Sequence, residues 1–155
     1  MKNNLTNNLN MLSPGNFKIT IDTAEFSNLE FFCTTASIPG LSVSALVQGY
    51  KNNKAYFPGE TIEYSQFTLS FIVDEELKNY KEIYDWITEN KTLEPKFKDI
   101  TLSILSNKNT TNKQILFHDC FPISLGELSF TTQDTAVDYI TCEVTFQYNM
   151  FEFIR

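Results

Sequence analysis

The stretch Phe57–Asn90, FPGETIEYSQFTLSFIVDEELKNYKEIYDWITEN, reads as a turn, a strand and an amphipathic helix in immediate succession. Phe67, Leu69, Phe71 and Val73 alternate with Gln66, Thr68, Ser70 and Ile72, the period of two of a strand with one buried face. Asp74 then offers an N-cap, and Glu75 and Glu76 place negative charge where the first helical turn favours it. The helix is expected over residues 75–90. At about 100° per residue, Leu77, Tyr80, Ile83, Tyr84 and Ile87 share an arc of roughly 120°, a normal core-facing stripe. Trp86 falls about 60° outside that arc, so it either covers the rim of the core or meets another subunit.

Upstream, residues 1–16 carry six Asn and end in Ser13-Pro14-Gly15, the profile of an N-terminal arm whose Leu9, Met11 and Leu12 are free to dock on a neighbour. Phe17, Ile19 and Ile21 alternate with Lys18, Thr20 and Asp22 as a first strand, with Leu29 to Thr35 as its expected hairpin partner. Pro14-Gly15, Pro39-Gly40 and Pro58-Gly59 match type II turns, in which proline presets one position and glycine accepts the positive φ of the next. Two of these turns would bracket the segment 41–57, which alternates weakly, lacks a strong core face and centres on Lys51-Asn52-Asn53-Lys54. A long protruding hairpin tipped by Lys51 to Lys54 fits it. A partner surface explains such an extension, and a mobile surface loop is the alternative.

Downstream, Ile100, Leu102 and Ile104 form a strand, Asn107 to Asn112 a polar turn, and Lys113 to Phe121 the returning strand, ended by Pro122. Gly126 marks a kink. The last strand is long, Ala136 to about Phe151, with Ile140, Cys142, Val144, Phe146 and Tyr148 on one face and Thr141, Glu143, Thr145 and Gln147 on the other. That second face holds no large apolar residue.

The chain of 155 residues suits one domain spanning 1–155, long enough to close a core without staples. An aromatic content of 14% fits a packed, strand-rich α+β fold, mainly β with one helix. A net charge of -7 without a Lys/Arg cluster argues against a module that grips phosphates. The Asn-rich start lacks the apolar stretch of a signal peptide, no apolar run reaches membrane-spanning length, and intracellular synthesis without membrane contact is expected. Cys33, Cys120 and Cys142 sit in strand contexts as small hydrophobes, and His118 reads as a strand histidine with an ordinary hydrogen bond. There is no phosphate loop, nucleophile elbow, CxxC or HExxH pair, or calcium ladder, so no catalytic, metal or cofactor site is expected. A small-ligand β-barrel would need a closed apolar cavity, which the polar face of the last strand disfavours.

Three blocks in order resemble the tail tube proteins of contractile-tailed bacteriophages: FFCTTASIPG (31–40), the stretch Phe57 to Trp86 with its FTLSFIVDE strand and YKEIYDW helix, and DCFPISLGEL (119–128), followed by a long aromatic strand. The resemblance implies a β-sandwich or partly open barrel that lends strands to a shared barrel. It implies six-membered rings stacked into a hollow tube, and a structural virion protein assembled in the host bacterial cytoplasm. A baseplate tube-initiator, a tail terminator and the tube subunit of a related contractile injection system share the pattern. Implied partners are further copies of itself, the tail sheath protein, the baseplate or initiator protein and the tape-measure protein, with DNA as non-specific cargo. The resemblance gives the 41–57 hairpin a neighbour, with Leu41, Val43, Leu46, Val47, Tyr50, Lys51, Lys54 and Tyr56 as contacts beside Leu9, Leu12 and Trp86. It also makes Thr68, Ser70, Thr141, Glu143, Thr145 and Gln147 candidates to line the channel, the outer solvent or sheath side being the competing assignment.

Overall fold

The computed structural model describes residues 14–21, 33–92, 94–133 and 138–154. In chain order its elements are β1 (Phe17–Ile21), β2 (Cys33–Ala36), β3 (Leu41–Tyr50), β4 (Asn53–Tyr64), β5 (Phe67–Ile72), α1 (Lys78–Glu89), β6 (Lys98–Leu105), β7 (Thr111–Leu125), β8 (Thr141–Gln147) and β9 (Met150–Phe153). Among the described residues the fold is mostly β with a single helix. Seven strands pair in the order β1-β6-β7-β8-β5-β2, with β9 also on β7, while β3 and β4 form a separate two-stranded ribbon. Among the described residues the sheet does not close into a barrel.

The alternation in β5 and β8 survives intact. Phe67, Leu69 and Phe71 are buried on one side, and Cys142, Val144 and Phe146 meet them from β8 in antiparallel register. Ile19 and Ile21 of β1, Ile100 and Leu102 of β6, and Ile115 and Phe117 of β7 complete the core from the other half of the sheet. Phe67 stacks on Phe117 with ring centroids 4.4 Å apart, and Tyr148 meets Phe117 edge-on at 5.1 Å. Cys120 and Cys142 are buried and Cys33 half-buried, all three as free thiols. Burial pushes the Cys33 thiol up to about 11 and that of Cys120 up to about 12, which suits hydrophobic filling rather than reactivity.

Strand pairing departs from expectation at β1. Its partner is β6, with Ile19 opposite Leu102 and Ile21 opposite Ile100, and β2 pairs with β5 instead. The two strands expected to form a hairpin stand at opposite ends of the sheet. Eleven residues separate them in sequence, 22–32, too many for a tight turn to commit one strand to the next, and the paired isoleucines of β6 decide the outcome. Residues 22–32 themselves lie outside the described set.

Pro122 does not end its strand. It sits inside β7 opposite Phe146, and the register slips between Pro122 and Ser124, the bulge position where a missing N–H is tolerated. The expected single closing strand is interrupted. Its start falls partly on residues 134–137, outside the described set, and the strand proper divides into β8 and β9. Phe121 opposite Gln147 and His118 opposite Met150 nevertheless keep one register across the gap. At the break Asp119 takes a left-handed φ of 54° and accepts a hydrogen bond from Asn149 Nδ2 (2.8 Å). His118 Nε2 lies 3.0 Å from Glu152 Oε1, an ordinary strand contact.

The Pro-Gly pairs also behave differently from expectation. No described glycine has a positive φ, and Pro58-Gly59 lies within β4 where its register against β3 shifts. A Cβ on Gly59 would stand 2.3 Å from the Ser44 carbonyl oxygen, so glycine serves a close backbone approach rather than a turn. Gly59→Ala is therefore expected to disturb β3 and β4 alone. Hydrogen exchange should accelerate across 41–64 while the thermal midpoint of the sandwich barely moves; a global loss of stability would refute the assignment.

The helix starts later and faces a different way from the expected one. Leu77 precedes it with φ 57°, and Asp74 Oδ1 accepts from the Lys78 amide at 2.7 Å. Asn79, Ile83 and Trp86 are the buried residues, Tyr80 and Ile87 are half-buried, and Leu77 and Tyr84 are exposed. The inward stripe is thus turned by about 60° toward Trp86. Asn79 causes this. Its Nδ2 donates to the Ile72 carbonyl (2.7 Å), and its Oδ1 accepts from the Asp74 and Tyr80 amides (3.3 and 2.9 Å), which ties the helix to the end of β5.

Tyr148 carries a pH signature. Its hydroxyl donates to the Ser65 carbonyl at 2.7 Å, and desolvation pushes its phenol from 10.0 up to about 12. The unfolded phenol ionises first, so this contribution to stability is complete below about pH 10 and is lost as pH rises toward 12. Urea midpoints at about pH 9 and pH 11 should show a drop that Tyr148→Phe reduces; an equal drop in that variant would refute it.

Candidate assembly surfaces

Two surfaces stand out. The first is the β3–β4 ribbon. Leu41 pairs with Tyr64, Val43 with Ile62, Leu46 with Phe57, Val47 with Tyr56 and Tyr50 with Asn53, and a two-residue tip, Lys51-Asn52, closes it. Lys51 adopts φ 49° at that tip. Every residue of β3 is exposed.

Cross-strand partners share a face, so Val47 and Tyr56 lie on one side of the ribbon, and Leu46, Phe57 and Tyr50 on the other. Both faces are therefore apolar and in water: Leu46 is 58%, Val47 55% and Tyr50 73% exposed. A lone two-stranded hairpin is marginal in water, and a double-sided apolar ribbon matches a partner on each side. Lys51 and Lys54 are exposed at the end of it.

The second surface is the outward face of β2, β5 and β8. Ser70 sits opposite Glu143, Thr68 opposite Thr145, and Gln147 opposite Phe121. The six residues Thr68, Ser70, Thr141, Glu143, Thr145 and Gln147 are thus brought onto one face. Sequence reading missed its extension: Thr34 Oγ1 and Ser37 Oγ donate to the carbonyls of Ser70 and Thr68, both at 3.2 Å. The signal was available, because CTTAS (33–37) is a run of small polar residues. Both borders of this four-stranded unit lack a strand partner among the described residues, at β2 on one side and at residues 121–125 of β7 on the other.

Trp86 does not belong to either surface. It is 3% exposed, packs against Phe146 at 5.7 Å and donates from Nε1 to the Lys96 carbonyl at 2.9 Å. The rotated stripe takes it into its own core, so it offers no indole to a neighbour. Leu9 and Leu12 lie outside the described residues. Among the described residues no group of three His, Cys, Asp or Glu converges on a metal position, and no helix is long and apolar enough to cross a membrane.

The phage tail tube protein family matches residues 4–154 of this sequence. The chain belongs to the phage tail tube protein family. The tail tube terminator protein of Enterobacteria phage T4 is 32% identical to it over 127 residues, 74% of this chain and 72% of that protein. The fold resembles the sheath/tube terminator of the PVC extracellular contractile injection system (TM-score 0.73, 20% identity, 94% of this chain and 98% of that one). It also resembles the anti-feeding prophage tube-terminating cap (TM-score 0.72, 20% identity, 93% and 91%). As a member of the tail tube family the chain is a structural protein of a phage tail or phage-like contractile particle, and its family is not one of enzymes.

Proposed function

We propose that this tail tube family member ends a tail tube, closing it as a ring of six identical subunits. The observation that carries the ring is the four-stranded, polar-faced unit with both borders unpartnered, beside a ribbon apolar on both faces. Joining β2 of one copy to residues 121–125 of the next removes the exposed edges and extends one barrel around a channel. The ribbon then lies between neighbours, which cover its two faces. The likeness to the T4 terminator moves the reading from the tube's main subunit, expected from the sequence resemblance, to the piece that ends it. Its partners are then further copies of itself, the last tube ring and the sheath. Tape-measure protein and DNA are cargo passing through to the host cell.

The polar face points into the channel in this reading. Ser, Thr and Gln side chains dominate this face, with half-buried Ile72 and Phe121 opposite Thr141 and Gln147 at its margins, and Glu143 repels phosphates, so passage is insensitive to base sequence. Glu143→Lys is expected to slow DNA ejection several-fold while leaving particles intact. Unchanged ejection would place the face elsewhere.

Electron microscopy of the purified protein tests the reading. Discrete rings are expected; long tubes would return the assignment to the main tube subunit, and monomers would overturn both.

A further inference from the structure

We propose that an acidic groove at the far end of the molecule is the receptor for the β3–β4 tip of a second copy of this chain. The inference deepens the ring reading and rests on it.

The groove opens where β5 passes into α1. It has a volume of about 500 Å³, and its lining includes Leu77, Phe130 and Tyr139 with Asp74, Glu75 and Asp138. Its aromatic rim is left in water: Phe130 is 75% and Tyr139 71% exposed. Three carboxylates line it and, among the described residues, no Lys or Arg does. Asp74 spends one oxygen on the Lys78 amide and Asp138 one on the Tyr139 amide. Glu75 takes part in no ion pair among the described residues.

The complement is at the hairpin tip. Lys51 and Lys54 stand there with Tyr50 and Tyr56, and neither lysine has an ion-pair partner among the described residues. Two cations on an aromatic finger match an apolar groove rimmed by three acids. Aromatic anchors would supply affinity, and the charges register and orientation.

The tip cannot reach the groove of its own chain, by a length argument. Ala36 opposite Leu69, the Ser37–Thr68 and Gly40–Ser65 backbone hydrogen bonds, and Leu41 opposite Tyr64 follow in one register. The ribbon is thus a direct prolongation of the β2–β5 pair. From Asn53 to Ile72 the chain spans roughly 60 Å at about 3.3 Å per residue. Tip and groove lie at its opposite ends. A contact between them joins copies head to tail, a heterologous contact that closes a ring when the rotation from copy to copy divides the full circle.

Charge reversal tests this, read by mass photometry with thermal melting as the control for folding. Lys51→Glu/Lys54→Glu and, separately, Glu75→Lys/Asp138→Lys should each weaken ring formation at least tenfold at low salt. All four changes in one chain should restore it in large part, because the acidic tip then faces a groove in which two lysines outweigh the remaining Asp74. In wild type with Lys51→Cys and Glu75→Cys, oxidation should give a ladder of covalent multimers. Rings indifferent to both reversals, or weakened rings that the combination fails to rescue, would overturn the groove while leaving the ring reading in place. A wild-type chain that stays monomeric would overturn both.

Discussion

Tyr56→Asp, and independently Leu46→Asp, should each leave a folded monomer that has lost ring assembly. The two residues sit on opposite faces of the ribbon, so each tests a different neighbour contact. A large apolar side chain buried at an interface contributes about 2 kcal/mol, or roughly thirtyfold in affinity. Burying an aspartate in its place adds a further penalty, and a ring repeats the loss at every joint. Both residues are exposed in the single chain, so the melting curve of the monomer should not shift. Sedimentation velocity reads the outcome. If the ribbon were only a surface loop, neither substitution would change the sedimentation coefficient, and that result would remove the ribbon from the account of assembly.

Trp86→Ala should act in the opposite way, on the fold first. The indole is buried against Phe146, donates to the Lys96 carbonyl and has the Lys98 ammonium 5.8 Å from its ring centre. Truncating a buried tryptophan costs about 3–5 kcal/mol, a large part of the stability of a domain of this size. Chemical denaturation should show the unfolding free energy falling by that amount, with the midpoint lowered in proportion, and assembly lost only because folded subunits become scarce. A variant of normal stability that fails to assemble would return Trp86 to an interface. The contrast with Tyr56 separates core from contact without a structure of the ring.

The sequence carried most of the architecture wherever one residue type had one job. The alternation in β5 and β8 predicts their buried faces, and because those strands pair with Ser70 opposite Glu143, it also predicts one shared polar surface. The ribbon was legible from what it lacks, a core face. The helix phase was not, because a buried Asn79 with three hydrogen bonds looks polar to any hydropathy count while it fixes the helix on Ile72. Pro58-Gly59 misled for a related reason: glycine answers both to positive φ and to a backbone that comes too close, and here Ser44 comes too close. The β1–β6 pairing depends on partners about eighty residues apart, which no local pattern reports. The choice between tube subunit and terminator was equally hidden, since the same sheet and ribbon suit both.

Tube assembly measured by electron microscopy, with this protein added at one part in many to growing tubes of its cognate main subunit, distinguishes a terminator from a shaft subunit. If the chain terminates tubes, length should fall as its share rises, with extra density at one end only. Tubes of unchanged length, or subunits built in along the whole shaft, would contradict it.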